Sequence, residues 1–294
     1  MLKVDNVSKV FKVGTFGGKK LTAVSEVSFE VHPGEVVSLI GESGSGKTTV
    51  GRMILRLTPV TSGSINFEGT DVEGLKGRKL RSYYEHVQGV FQDPFSSYNP
   101  IFKADRVFEM IRRAYLSDLS QSEWNKRLGE ALEAVVLEPT DVLNKYPHQL
   151  SGGQLQRLLI ARALMLDLRF LVADEIISML DASTRIDVLN LLGELKERGL
   201  GVLFITHDLS LGNYISDKTL ILRHGRVAEL GATQKVFGNP RHPYTRALLA
   251  SVPQLHRKWS TNAADLVAEM PEHDPGAVET LVQVDDDHFV AQEV

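Results

Sequence analysis

Cysteine is absent from this chain of 294 residues. That excludes disulfides, thiolate zinc sites and cysteine-ligated iron–sulfur clusters, and it is compatible with a reducing cytoplasm. Nowhere do about 18 apolar residues follow one another, so no segment is expected to span a bilayer. The opening stretch MLKVDNVSKV is interrupted by charge and has no apolar centre, so it does not read as a signal peptide. Lys and Arg are missing from Trp259 onward, where nine acidic residues fall. The net charge of −4 therefore divides into −9 for this tail and +5 for the rest. Such a mild basic excess suits a polyphosphate ligand and is too small to mark a nucleic-acid surface. With 43% hydrophobic and 24% charged residues, the chain suits one large globular unit or two unequal ones.

What the sequence does contain is Gly41-Glu42-Ser43-Gly44-Ser45-Gly46-Lys47-Thr48, a complete G-x-x-x-x-G-K-[ST] pattern. Glu35 to Ile40 before it reads as a buried strand, and Thr49 to Leu57 after it as a helix. The glycines let backbone N–H groups turn inward on a phosphate without a Cβ in the way. The helix N-terminus adds partial positive charge. Lys47 is expected to reach the β- and γ-phosphates, and the Thr48 hydroxyl to ligate Mg²⁺. A flexible Gly/Ser linker would need neither Lys-Thr after its last glycine nor the flanking strand and helix.

Residues 2–12 and 22–31 read as antiparallel strands from the alternation in VSEVSFEV, joined through a turn-rich loop from Gly14 to Lys20. Phe11, near the end of the first strand, fits either an ordinary core or rim position or an aromatic stacked on a purine. Thr61-Ser62-Gly63-Ser64 turns into a short strand, Ile65 to Glu68. Val87 to Gln92 reads as a strand that Asp93-Pro94 ends. Helical periodicity in Ala104 to Tyr115 and Glu123 to Val136 predicts a helical insertion within an α/β core. Phe170 to Ala173 reads as a buried parallel strand. Ser183 to Arg198 reads as an amphipathic helix closed by Gly199-Leu200-Gly201. Val202 to Thr206 is the next buried strand, followed by His207-Asp208, and a hairpin is expected about His224-Gly225. Pro240 and Pro243 punctuate a last helix, Tyr244 to Ser251, and beyond Pro253 the periodicity weakens.

Phosphoryl transfer needs the polyphosphate held, the metal fixed and a water aimed. Asp174 and Glu175 arrive at the C-terminal end of a buried strand, where open α/β sheets bind ligands. Asp174 suits a Mg²⁺ partner and Glu175 a general base. Adjacent carboxylates on an extended strand point to opposite sides, so the two are expected to divide these roles. Leu150-Ser151-Gly152-Gly153-Gln154, before the apolar helix Leu155 to Leu166, makes a second anion-binding helix start. One nucleotide does not need two such sites in one chain. A head-to-tail dimer, in which this segment covers the γ-phosphate held by a partner, resolves the surplus.

Together these motifs resemble an ABC-transporter ATPase subunit over roughly residues 1–250. The resemblance implies a P-loop ABC ATPase fold: a mixed α/β core with an antiparallel β subdomain, and a helical subdomain of about residues 93–165 inserted in it. It implies that Gly41, Glu42, Ser43, Gly44, Ser45, Gly46, Lys47, Thr48 and Thr49 bind ATP. Gln92 matches the Q-loop glutamine that touches Mg²⁺ and water, Asp174 and Glu175 the Walker B carboxylates, and His207 the switch histidine. Ser151, Gly152, Gly153 and Gln154 of the signature and Asp181 of the D-loop are expected to act on a partner's nucleotide. Phe11 matches the adenine-stacking aromatic.

A narrower resemblance, to the peptide, nickel and oligosaccharide importer branch, rests on three stretches. They are Phe91-Gln92-Asp93-Pro94 with Ser96-Ser97-Tyr98-Asn99-Pro100, Tyr146-Pro147-His148-Gln149, and Asn239 through Leu249. It implies an ATPase domain over 1–254 and an importer-type extension over 255–294. Implied partners are a second ABC ATPase subunit, either a paralogue or a second copy, two membrane permeases and, indirectly, an extracellular solute-binding protein. The expected function is ATP hydrolysis at the cytoplasmic face of the membrane to power uptake of peptides or a related small polar solute. The rival is a non-transport ABC ATPase acting on nucleic acid or ribosomes, which usually has a long coiled-coil insert or two ATPase units. The chain departs from the family at Ile176 and Ile177, where Pro and Thr are usual, and at Leu155, where Arg is frequent. It also lacks the cysteine cluster common in the extension. Val282 to Ala291 resembles a remnant of that extension and is expected as an acidic solvated tail.

Overall fold

The computed structural model describes residues 1–13, 18–251 and 279–293. Most of the loop from Gly14 to Lys20, and the weakly periodic stretch from Pro253 through Pro275, lie outside the described residues. The chain forms two units, Met1–Glu73 with Leu203–Val294, and Gly74–Val202.

The first unit opens with β1 (Leu2–Val13), β2 (Lys19–Val31), β3 (Val36–Ile40), α1 (Lys47–Ile54), β4 (Ser62–Phe67) and β5 (Thr70–Asp71). Alternating apolar residues bury one face of β1 and β2, so they pair antiparallel, in a sheet of order β2-β1-β4-β5. β3 is buried at every position, as a strand covered on both faces must be.

The second unit contains α2 (Gly77–His86), β6 (Val87–Val90), α3 (Arg106–Tyr115), α4 (Gln121–Ala134), α5 (Pro139–Val142), α6 (Gly152–Leu164), β7 (Phe170–Asp174) and α7 (Ala182–Glu197). β6 and β7 run parallel, Val87 beside Phe170 and Val90 beside Ala173. Phe108, Trp124, Leu132, Leu155 and Leu158 are buried where α3 and α4 pack on α6. A reciprocal capping box of Ser120 and Glu123 starts α4. β6 stops at Val90, two residues short of the expected end, and this leaves Gln92 in a bend rather than in a strand.

The rest of the chain supplies β8 (Gly201–Thr206), α8 (Leu209–Ile215), β9 (Lys218–Arg223), β10 (Arg226–Ala232), α9 (Thr233–Gly238), α10 (Pro243–Ala250), β11 (Glu279–Asp285) and β12 (His288–Glu293). In the first unit the strand order is β11-β12-β10-β9-β3-β8. β3 runs parallel to β9, Ile40 beside Ile221. Between them Ser38, Thr219 and Thr233 form a buried hydroxyl chain with steps of 2.9 Å, so their polar atoms are satisfied.

The C-terminal hairpin corrects the expectation of a solvated acidic tail. β12 extends the sheet antiparallel to β10, pairing Glu229 with Val290 and Gly231 with His288. Asp285, Asp286 and Asp287 are exposed at the tip, where Lys235 pairs with Asp285 at 3.3 Å. His288, Val290 and Ala291 are buried, so the acids mark a turn rather than a solvated face. The approach requires Gly231, because a Cβ there would stand 2.5 Å from the Asp287 carbonyl oxygen. Inside the sheet, His288 Nε2 lies 2.7 Å from Glu229 Oε1. Replacing His288 with Ala leaves a fully buried carboxylate one partner short. It is expected to cost about 2 kcal/mol, read as a lowered midpoint in urea unfolding. An unchanged midpoint would contradict the docking of the hairpin.

Candidate functional site

Backbone contacts that tolerate only glycine shape the phosphate loop. Gly44 and Gly46 take φ of 82° and 106°. A Cβ on Gly46 would stand 2.4 Å from the Ala23 carbonyl oxygen of β2, and one on Gly41 2.2 Å from the Leu222 carbonyl oxygen of β9. The β9–β10 turn joins the clamp. The Gly225 N–H donates to the Ser45 carbonyl at 2.9 Å, and the Ser25 N–H donates to the Gly225 carbonyl at 2.8 Å. No side chain caps α1, whose N-cap is Gly46, and an uncapped helix start suits an anion. The buried Lys47 ammonium donates to the carbonyls of Gly41 and Glu42, both at 2.8 Å.

Phe11 pairs with Leu21 on β2, two residues from Ala23. It is partly exposed, with the Lys9 ammonium 5.0 Å from its ring centroid. His207 is exposed in a bend after β8. The next residue caps α8, since Asp208 accepts from the Ser210 and Leu211 N–H groups at 2.9 and 3.3 Å.

In the second unit Asp174 ends β7 and is only 4% exposed. Glu175 then takes φ of 51°. The two carboxylates are therefore not consecutive residues of an extended strand, as the sequence suggested, because the strand ends at Asp174 and a turn begins at Glu175. The Glu175 carbonyl accepts from the Ser178 N–H at 3.1 Å and from its hydroxyl at 2.9 Å, which closes the turn. Left-handed backbone costs a non-glycine residue about 1–2 kcal/mol, so the surroundings must impose it. The departures Ile176 and Ile177 follow Glu175 in this turn and are both buried. Leu155, the third departure, is likewise fully buried.

Asp181 caps α7, accepting from the Ser183 hydroxyl at 2.6 Å, the Thr184 N–H at 3.0 Å and the Thr184 hydroxyl at 2.9 Å. These donors, Ser183 first, hold its carboxyl well below the usual carboxylate range. Ser151 and Gln154 cap α6 reciprocally: the Gln154 N–H donates to the Ser151 hydroxyl at 3.1 Å, and the Ser151 N–H to Gln154 Oε1 at 2.9 Å. A Cβ at Gly152 would come no nearer than 3.7 Å to Phe95, and one at Gly153 no nearer than 3.4 Å to Leu180. Packing within the unit therefore does not require glycine at either position. Next to the exposed Gln92, the Phe91 carbonyl accepts from Gln156 Nε2 at 3.1 Å, and the Tyr98 hydroxyl donates to the Leu155 carbonyl at 3.0 Å. The Gln92 loop is thus tied to the helix that Ser151 caps.

A family model described as ABC transporter matches residues 24–178. The oligopeptide transport ATP-binding protein OppF of Streptococcus mutans is 38% identical over 295 residues, covering 99% of this chain and 94% of that protein. The chain belongs to the ABC transporter family. OppF of Bacillus subtilis is 45% identical over 234 residues, covering 79% of this chain and 76% of that protein. A second family model, described as oligopeptide/dipeptide transporter, C-terminal region, matches residues 228–277. Among solved structures, a dimeric ATP-binding cassette in a post-hydrolysis state, bound to ADP and Pi, superposes with a TM-score of 0.71 at 30% identity. That match covers 79% of this chain and 99% of the other. As an ABC ATP-binding subunit, the chain is an ATPase and binds ATP. The alternative of a non-transport ATPase on nucleic acid or ribosomes draws no support from these relatives.

Of the ABC motif residues expected from sequence, Phe11, residues 41–49 and His207 belong to the first unit, and Gln92, residues 150–154, Asp174, Glu175 and Asp181 to the second. Sequence reasoning missed Gln156, and it named Tyr98 and Gly225 only within a branch motif and a hairpin turn, without their contacts to the site. The signal for Gln156 was a lone amide buried within an apolar helix. The glycine clamp predicts unequal substitutions. Gly44→Ala meets open space and should cost about 1 kcal/mol for its backbone conformation. Gly46→Ala also meets the Ala23 carbonyl and should cost about 3 kcal/mol or more, with loss of ATP binding. Equal shifts in the unfolding midpoints of the two variants would contradict the clamp.

Proposed function

We propose that this ABC ATPase powers uptake of peptides or a related small polar solute, as the peripheral ATP-hydrolysing subunit on the cytoplasmic face of a membrane. The carrying observation is the match of residues 228–277 to the oligopeptide/dipeptide transporter C-terminal region in a chain that also holds the full ABC motif set. The two OppF relatives support the same reading. No helix among the described residues is long and apolar enough to cross a membrane. In this reading two permeases supply the path, and an extracellular solute-binding protein delivers the solute.

The site residues act as follows. Phe11 stacks on adenine. Backbone N–H groups of residues 43–49 and the Lys47 ammonium hold the phosphates. Glu175 takes a proton from the attacking water as its oxygen bonds to the γ-phosphorus. The bond to the β–γ bridging oxygen breaks, and ADP leaves. His207 contacts the γ-phosphate, and Gln92 orients the water. The donors suit Mg²⁺: the Thr48 hydroxyl, the buried Asp174 carboxylate and the Gln92 amide oxygen are hard oxygens. When bound, Mg²⁺ neutralises charge on the transferring phosphoryl group.

The signature completes the site on a second ABC subunit, a paralogue or another copy, with Asp181 beside it. Two glycines open α6 although their own unit does not need them, and glycine there costs up to about 1 kcal/mol relative to alanine. Close approach of a partner's γ-phosphate to bare N–H groups accounts for them. In the assembled complex, Glu175→Gln should retain ATP binding and lose turnover by more than about 100-fold, whereas Lys47→Ala should lose binding itself. Steady-state phosphate release and nucleotide binding measure the two effects. Unchanged turnover in Glu175→Gln would remove Glu175 from its role.

A further inference from the structure

The motif from Asn239 to Leu249 takes no part in the chemistry above, yet the fold brings it to the phosphate loop. The Glu42 N–H donates to the Tyr244 hydroxyl oxygen at 3.2 Å, across 202 positions of sequence. The carbonyl of the same residue accepts from the Lys47 ammonium at 2.8 Å. Glu42 is thus held by the phenol through its N–H while its carbonyl holds the phosphate-binding lysine. The Tyr244 ring packs with Ile40 and Ile221, and the Arg223 guanidinium lies 5.4 Å from its centroid. Burial pushes the phenol's pKa up, so the hydroxyl stays neutral.

The turn that carries Tyr244 is itself clamped. His242 Nδ1 accepts from the Tyr244 N–H at 3.0 Å, and Pro243 sets the first helical position of α10. The fully buried Glu229 accepts from the Arg241 N–H at 2.8 Å and from the His242 N–H at 3.0 Å. It also meets His288 of the C-terminal hairpin, at 2.7 Å. A continuous chain of buried and part-buried contacts therefore runs from the hairpin through β10 and the His-Pro-Tyr turn to the phosphate loop.

We infer that Tyr244 is a positioning residue for the phosphate loop, fixing Glu42 and with it Lys47, and that Glu229 and the C-terminal hairpin hold Tyr244 in place. The inference deepens the ATP site proposed above and rests on that reading. Tyr244→Phe removes one oxygen and keeps the packed ring. Loss of one such hydrogen bond corresponds to about a threefold to tenfold rise in KM for ATP. kcat should stay within about twofold, since no transition-state group is touched. Glu229→Gln turns one acceptor into a donor facing an N–H, and should raise KM in the same direction with Tyr244 intact. Both variants are assayed in the assembled transporter. Hydrogen exchange at the Glu42 amide, in the full chain, reads the contact without any turnover, and it should accelerate in Tyr244→Phe. An unchanged exchange rate at Glu42 in Tyr244→Phe, or an unchanged KM in an active Tyr244→Phe complex, overturns the inference. Because the exchange measurement needs no hydrolysis, failure of the ATPase reading and failure of this one are separable.

Discussion

Close packing of backbone against backbone around Gly41 and Gly46 is the constraint on which the first unit depends. The Ala23 carbonyl of β2 and the Leu222 carbonyl of β9 fill the space where side chains would stand. Because these strands belong to different sheets, the loop conformation is a property of the whole unit. The positive φ of Gly46, the uncapped start of α1 and the inward Lys47 go with that confinement, whereas Gly44, also at positive φ, faces open space. β12, which carries His288, belongs to the same construction, through Glu229 and the turn it anchors.

The second unit is organised about α6. Its N-terminus is capped by Ser151 and Gln154, and its Leu155 carbonyl and Gln156 amide hold the loop that carries Gln92. Motion of the Gln92 loop must therefore move the signature helix or break two hydrogen bonds, one buried and one part-buried. That is a physical route by which the state of one end of this unit reaches the other. The strained Glu175 and the buried Ile176 and Ile177 show a similar economy. An unusual hydrophobic pair replaces the family's usual residues and is taken up by the core, with the carboxylates kept.

Much of this was legible from the residues because the signals were local. β3, β7 and β8 are short apolar runs, and the Ser151–Gln154 capping box has its own spacing. α2 was not legible: GRKLRSYYEH has no apolar stripe, and only Tyr83 among its residues is buried. The turn at Glu175 was misread because an apolar run gives no sign of where its extended backbone stops. The C-terminal hairpin was misread because three aspartates crowd its tip and conceal the buried His288, Val290 and Ala291. The helix that carries Tyr244 was legible, but its contact with the phosphate loop was not, since its partner Glu42 lies 202 positions away and offers only a backbone N–H. Local chemistry was readable, whereas contacts made by long-range closure were not.

The central claim is that this chain carries two separate phosphate-binding half-sites, each completed by a partner. Photolabelling with an ATP analogue that bears its reactive group on the γ-phosphate tests it most directly. A Lys47→Ala chain is assembled with permeases and an unaltered partner ATPase, either a paralogue or a distinguishably tagged copy, and the labelled peptides are mapped by mass spectrometry. The account predicts label within residues 150–154 of the Lys47→Ala chain, because the nucleotide sits on the partner's loop. Loss of that label whenever Lys47 of the same chain is replaced would contradict it.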